Sequence, residues 1–337
     1  MVCELLKTIL QTTVLLLTGN FILYLVVQQV VQLLPNIMVS RRADNEFPYL
    51  KECHELPEKE ERNGILKNIG AMSMHKLATV IVNNTDSLLM SSFIGLTAVG
   101  IYSNYRMVII NVQNIIVKLL SAFTGSVGNL SASEEPAKVY RIYREMDFMF
   151  FVLNAYFAAG MFIFINPFIA IFFGEQYCFS TVTVALIITS FFITGLRRVN
   201  LIFREGMGLF WNDRYKAVAE SIINLVVSLL LVKPFGIAGI VGGTIISTVT
   251  TCAWIEPYVL MKHGIKEDWQ ARLRRYFAEY AQHCALTAAL SAAGWYAASR
   301  FPIDHIGKFL AAGVLYTIVF AAVILLCYRK TEEYSSL

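Results

Sequence analysis

Lys76, Thr79, Asn83 and Asp86 recur at 3-4-3 spacing within the apolar run 69–94. On an α-helix that spacing places all four on one face. A second apolar run, 97–128, carries a similar stripe of Asn104, Asn111, Asn114, Lys118, Ser121 and Gly125, continued by Asn129 just beyond it. An amide or a charge facing hydrocarbon leaves its hydrogen bonds unmade, so both faces are expected to look inward, towards protein or water. Carboxamides both donate and accept hydrogen bonds, and cationic side chains attract anions, so such walls suit a charged, hydrogen-bonding guest.

The two runs meet at Gly95-Leu96-Thr97. Folding them back about Leu96 sets Asp86 and Arg106 at equal distance from the bend, each roughly 15 Å along its helix. Either charge alone at that depth is costly. Two arrangements follow. The pair could tie the hairpin together, or both groups could line a polar cavity that handles something charged. A third stripe, Glu220, Asn224 and Ser228 at i, i+4, i+8, adds Glu220 and Asn224 as candidate cavity residues. Glu220 lies near the end of its segment, where snorkelling to the interface is the plainer alternative.

These stripes belong to ten hydrophobic segments, at about 4–18, 20–39, 69–94, 97–128, 146–172, 179–203, 215–232, 236–261, 277–298 and 307–327. The expected fold is an all-α integral membrane bundle of about ten transmembrane helices. Basic residues crowd every alternate connection, from Lys7 through Arg41, Arg42, Lys138, Arg141, Arg197, Arg198, Lys262 and Lys266 to Arg329 and Lys330. The opposite connections hold only Lys233, Arg300 and Lys308. Positive charge favours the cytoplasmic side, so both termini are expected there. The polar stretch 40–68, punctuated by Pro48 and Pro57, reads as a cytoplasmic linker between a two-span leader and an eight-span body. Gly239 and Gly243 have GxxxG spacing, which signals close helix packing.

Several functions are disfavoured. A hydrophobic content of 56% against 15% charged residues excludes an ordinary soluble domain. The net charge of +4 is too small and too evenly tied to topology to suggest nucleic-acid binding. The six cysteines stand singly, without CxxC or Cys/His spacing, so no disulfide framework or metal site is expected. No GxxxxGK[ST], HExxH or GxSxG occurs, and no nucleophile–base set, so neither an enzyme nor a cofactor is expected.

Several separated blocks carry a resemblance. NNTDSLLMSSFIGLTAVGIYSNYRMVI (83–109), GSVGNLSASEE (125–135), FREGMGLFWNDRYKAVAESIINLVVSLLL (203–231) and FGIAGIVGGTIIS (235–247) occur in that order, after NEFPYLK (45–51). Together they resemble the bacterial polysaccharide flippases of the multidrug/oligosaccharidyl-lipid/polysaccharide transporter superfamily. The resemblance implies an incomplete two-lobe flippase bundle lacking its first four helices. Residues 1–39 would be the last two helices of the N-terminal lobe, 69–265 a six-helix C-terminal lobe, and 266–337 a terminal helix pair and tail. It implies export of an undecaprenyl-phosphate-linked oligosaccharide across the bacterial plasma membrane, with membrane lipids as surroundings.

In that setting Arg106 and Lys118 would meet the anionic head group, and Asn83, Asn104, Asn111 and Asn114 its sugar hydroxyls. Asp86 would either steady Arg106 or carry a coupling Na⁺ or H⁺. The alternatives are a cation-coupled multidrug exporter of the same superfamily and a non-transporting truncated remnant. The orientation is checked by labelling intact cells with a membrane-impermeant thiol reagent. Cys178 should be modified and Cys53 spared; the reverse pattern contradicts the orientation.

Overall fold

The computed structural model describes residues 2–49 and 58–329, leaving the side chains of residues 2–6, 75 and 83 undescribed within their helices. The region of Cys53 therefore lies outside the described residues. Two units are present, residues 1–64 and 65–337. Among the described residues all regular structure is helical. In the smaller unit α1 (Val2–Thr18) packs on α2 (Phe21–Glu46). Asn20 starts α2 by accepting hydrogen bonds from the amides of Ile22 and Leu23, at 2.9 and 3.2 Å, a side-chain cap on otherwise orphan donors. The helix then runs through Pro35 well into the stretch expected to be linker.

The larger unit begins within α3 (Lys59–Phe93), where the end of the expected linker and the third expected segment form one continuous helix. Then come α4 (Leu96–Ser121), α5 (Thr124–Ser133), α6 (Pro136–Phe172), α7 (Thr181–Leu196), α8 (Arg198–Gly206), α9 (Lys216–Phe235), α10 (Ile237–Thr250) and α11 (Cys252–Val259). A π-helical turn, Leu260–Ile265, leads to α12 (Trp269–Arg300) and α13 (Ile306–Tyr328). The α3–α4 turn is made at Gly95, whose φ of +116° is a conformation that side chains with a Cβ rarely adopt.

Among the described residues, seven helical stretches are long and apolar enough to cross a membrane: 21–46, 96–133, 136–172, 181–206, 216–235, 237–265 and 306–328. They coincide with seven of the expected segments, and a multi-pass membrane protein follows. The other three expected spans fall on α1, α3 and α12. At 17 residues α1 is short for a crossing. The long helices α3 and α12 carry charges such as Lys59, Glu60, Glu61, Arg62, Arg272, Arg274, Arg275 and Glu279 over their first turns.

The core of the larger unit is built on α6, which buries Phe148, Phe151, Ala155, Ala158, Ile165 and Ile169. Two amides lock it to its neighbours. Asn154 Nδ2 donates to the Phe192 carbonyl of α7 at 2.8 Å. Asn166 Oδ1 accepts from Tyr105 of α4 at 2.6 Å, while the same hydroxyl receives the amide of Phe179 at 2.8 Å. On the other side α9 and α10 lie against each other through glycine. A Cβ at Gly239 would come within 2.1 Å of the Leu231 carbonyl oxygen, and one at Gly243 within 2.2 Å of Ser228 Oγ. A small cluster of Leu89, Met90, Val232 and Ile240 joins that pair to α3.

Gly243→Val is therefore expected to force α9 and α10 apart and to destabilise the protein by about 1–3 kcal/mol. Gly313→Ala, with open space around it, should leave stability unchanged. Thermal melting of the detergent-purified variants checks both; equal melting would contradict the close packing.

Candidate functional site

A cavity of about 480 Å³ opens among α3, α4, α7, α8, α9 and α10, walled by a mixture of polar and apolar groups. Thr79 and Asp86 come from α3, Tyr102, Arg106 and Gln113 from α4, and Ser190 and Thr194 from α7. Arg197 and Arg198 enter where α7 bends into α8, and Glu220, Thr244 and Thr248 close the wall from α9 and α10. Two further hollows, of about 470 and 700 Å³, are lined mainly by apolar side chains and by no charged one. Of the three, the first has the chemistry to hold a charged guest.

On one side of the cavity the α9–α10 packing sets up a relay. Asn224 Nδ2 donates to Thr244 Oγ1 at 3.0 Å, and Thr244 Oγ1 donates to Asp86 Oδ2 at 3.4 Å. Ser228 Oγ, one turn below Asn224, donates to the Ile240 carbonyl at 3.2 Å. Asp86 Oδ1 and Asn224 Oδ1 are buried and accept no hydrogen bond among the described residues. Arg106 Nη1 donates to Ser87 Oγ at 3.2 Å and lies close enough for its charge to act on Asp86. The hairpin about Leu96 thus brings Asp86 and Arg106 to one cavity wall.

On the other side lies a cluster of six charges, five of them buried and Glu220 nearly so. Glu256, fully buried on α11, accepts from Arg197 Nε at 2.9 Å and Nη2 at 2.6 Å, a two-pronged pair. It also accepts from Lys216, which lies 3.2 Å from Asp213. Asp213 in turn pairs with Arg204. Arg197 Nη1 reaches Glu220 at 3.4 Å, and Thr248 donates to the same Glu220 oxygen at 3.2 Å. The cluster therefore runs from the α8–α9 connection into the cavity itself.

The expected site residues divide. Asp86, Arg106 and Glu220 line the cavity, and Asn224 stands one hydrogen bond behind it. Asn104 is half-buried off the cavity wall, while Asn111, Asn114 and Lys118 do not line it either. The cause is angular. Arg106, Ile109, Ile110 and Gln113 share the lining face of α4; Asn111, five residues beyond Arg106 at ~100° each, is turned about 140° away. Asn111 instead bonds back to the Met107 carbonyl at 2.8 Å. The side chain of Asn83 lies outside the described ones.

Arg197, Arg198, Arg204 and Lys216 look in sequence like interfacial loop cations, yet they sit in or beside helices, Arg198 half-buried and the other three buried. Their signal was Glu220 and Glu256, two carboxylates in apolar segments, each of which needs an internal cation. Among the described residues no group of His, Cys, Asp and Glu side chains is arranged to hold a metal ion. No protein-family model, curated protein or solved structure matches this chain.

Removing one member of the cluster strands its partners in low dielectric. Glu256→Gln should destabilise the fold by about 3–5 kcal/mol. Glu46→Gln breaks the exposed Arg42–Glu46 pair and should change stability by about 0–1 kcal/mol. Melting of the two purified variants gives the comparison, and a Glu256→Gln protein as stable as wild type would contradict the cluster's role.

Proposed function

We propose that this chain moves an anionic, hydroxyl-rich cargo across the bacterial plasma membrane, namely an oligosaccharide repeat unit linked to undecaprenyl phosphate. The observation that carries the proposal is the cavity, where guanidinium groups outnumber carboxylates among hydroxyl and amide side chains inside a body of apolar helices. Arginine binds phosphate through a planar fork, and hydroxyls and amides exchange hydrogen bonds with sugars. The resemblance of the blocks at 83–109 and 203–247 to polysaccharide flippases supports the same cargo. Ten spans with both termini cytoplasmic complete the proposed topology.

The relay at Asp86 favours ion coupling as part of this function. Among the described residues Asp86 Oδ1 and Asn224 Oδ1 are buried acceptors without a donor, on side chains that Thr244 links by hydrogen bonds. Uncharged and anionic oxygens grouped in this way are the donor chemistry of a hard cation such as Na⁺. A multidrug exporter of cationic compounds fits less well, because a cationic cargo would meet Arg106, Arg197 and Arg198 in the same space.

Export of polysaccharide and membrane abundance, measured together in a flippase-deficient strain, test the assignment. Arg106→Ala is expected to lower export at least about tenfold at unchanged abundance, and adding Asp86→Ala should not restore it. Asp86→Asn should keep abundance and remove any dependence of export on Na⁺. Normal export by Arg106→Ala at normal abundance would contradict the proposal. Loss of cationic-dye efflux, with export untouched, would favour the multidrug alternative.

A further inference from the structure

The buried charges beside the cavity satisfy one another. Arg197 is held by Glu256 and Glu220, Lys216 stands between Glu256 and Asp213, and Arg204 pairs with Asp213. Three cations meet three carboxylates, so the cluster has no net charge to offer a guest. Across the cavity Arg106 acts on Asp86. One cavity cation remains outside both arrangements.

Arg198 lines the cavity and is half-buried. Among the described residues no carboxylate lies within ion-pair distance of it and no group is hydrogen-bonded to its side chain. Glu256 and Glu205 attract it only from farther off, while the Arg197 guanidinium repels it. The end of α7 at Leu196 and the start of α8 at Arg198 divide the two adjacent arginines. Arg197 is spent on the cluster and Arg198 is not. A guanidinium placed this way keeps its N–H donors for whatever enters. Leaving it unmatched costs free energy that an incoming anion recovers.

We propose that Arg198 is an anion-binding residue of the cavity and takes a phosphate group of a phosphate or diphosphate ester through paired N–H···O bonds. The proposal rests on the anionic cargo inferred above and names the residue that would grip it. A phosphate oxyanion matches the planar fork, and the Ser190 and Thr194 hydroxyls that line the same cavity can donate to its remaining oxygens. The phosphate could belong to a lipid or to a soluble ester, and the probes below separate these sources.

The test uses the purified full chain in neutral detergent, with thermal melting followed against three probes: farnesyl diphosphate, farnesol and sodium pyrophosphate. Farnesyl diphosphate should raise the wild-type melting temperature, and farnesol should not. Arg198→Gln should raise the half-saturating concentration of farnesyl diphosphate at least about tenfold, with Arg198→Lys in between. Arg141→Gln, which alters an exposed side chain paired at 3.9 Å with Glu145, should behave as wild type. The ligand-free melting temperature of each variant separates lost binding from lost folding, and Arg198→Lys supplies the test should Arg198→Gln not fold.

Wild-type affinity in Arg198→Gln would overturn the assignment while leaving the anionic cargo intact. Absence of any response of the wild type to farnesyl diphosphate or pyrophosphate would overturn both. Pyrophosphate binding as tight as farnesyl diphosphate, and lost in Arg198→Gln, would uphold Arg198 and make the cargo a soluble phosphate.

Discussion

A carboxylate taken out of water must be matched inside the protein or it unfolds the site around it. Glu256 is such a carboxylate, with a side chain wholly hidden on α11. The groups that match it, Arg197 and Lys216, come from the α7–α8 bend and from the first residue of α9. Lys216 and Arg204 then share Asp213 in the connection between α8 and α9. A few charges thus hold together helices that apolar packing alone would leave free to slide. The bend at Arg197 is where this constraint meets the cavity, since the same guanidinium touches Glu220 on the cavity wall.

The opposite wall is set by a different force. Gly239 and Gly243 bring α10 against α9 so closely that Ser228 and Asn224 reach across to Ile240 and Thr244. Thr244 is thereby aimed at Asp86 on α3. One wall is positioned by ion pairs and the other by glycine packing and neutral hydrogen bonds. Between them lies Arg198, which neither set consumes among the described residues, while Asp86 accepts from Thr244 and Arg106 donates to Ser87. Under the proposed transport role this separation is useful, because the structural charges are saturated and an anionic guest would compete only for the remainder.

The apolar segments were legible because a hydrophobic run long enough to cross a bilayer is rarely compatible with a soluble fold. The mirror placement of Asp86 and Arg106 was legible too, since a tight turn at Gly95 fixes equal distances along two helices. The α4 amide stripe misled, because a polar stripe shows that a face is distinctive without showing which helix it meets. Asn111 and Lys118 lie off the cavity, while Gln113, which breaks the stripe, lines it. The six-charge cluster was not legible. Its members are spread from Arg197 to Glu256, and only the packing of α8, α9 and α11 makes them neighbours. Charges near helix ends look interfacial in sequence whether they face water or one another.

The proposed role requires the cavity to select an anion joined to sugars. It is tested most directly by reconstituting the purified protein in liposomes and following transbilayer movement of a fluorescent short-chain polyprenyl diphosphate disaccharide. The comparison substrate is the same disaccharide on a neutral polyprenyl ether. The protein should accelerate movement of the diphosphate and leave the neutral ether at the rate of protein-free liposomes. Equal acceleration of both, or movement of a cationic dye in preference to either, would contradict it.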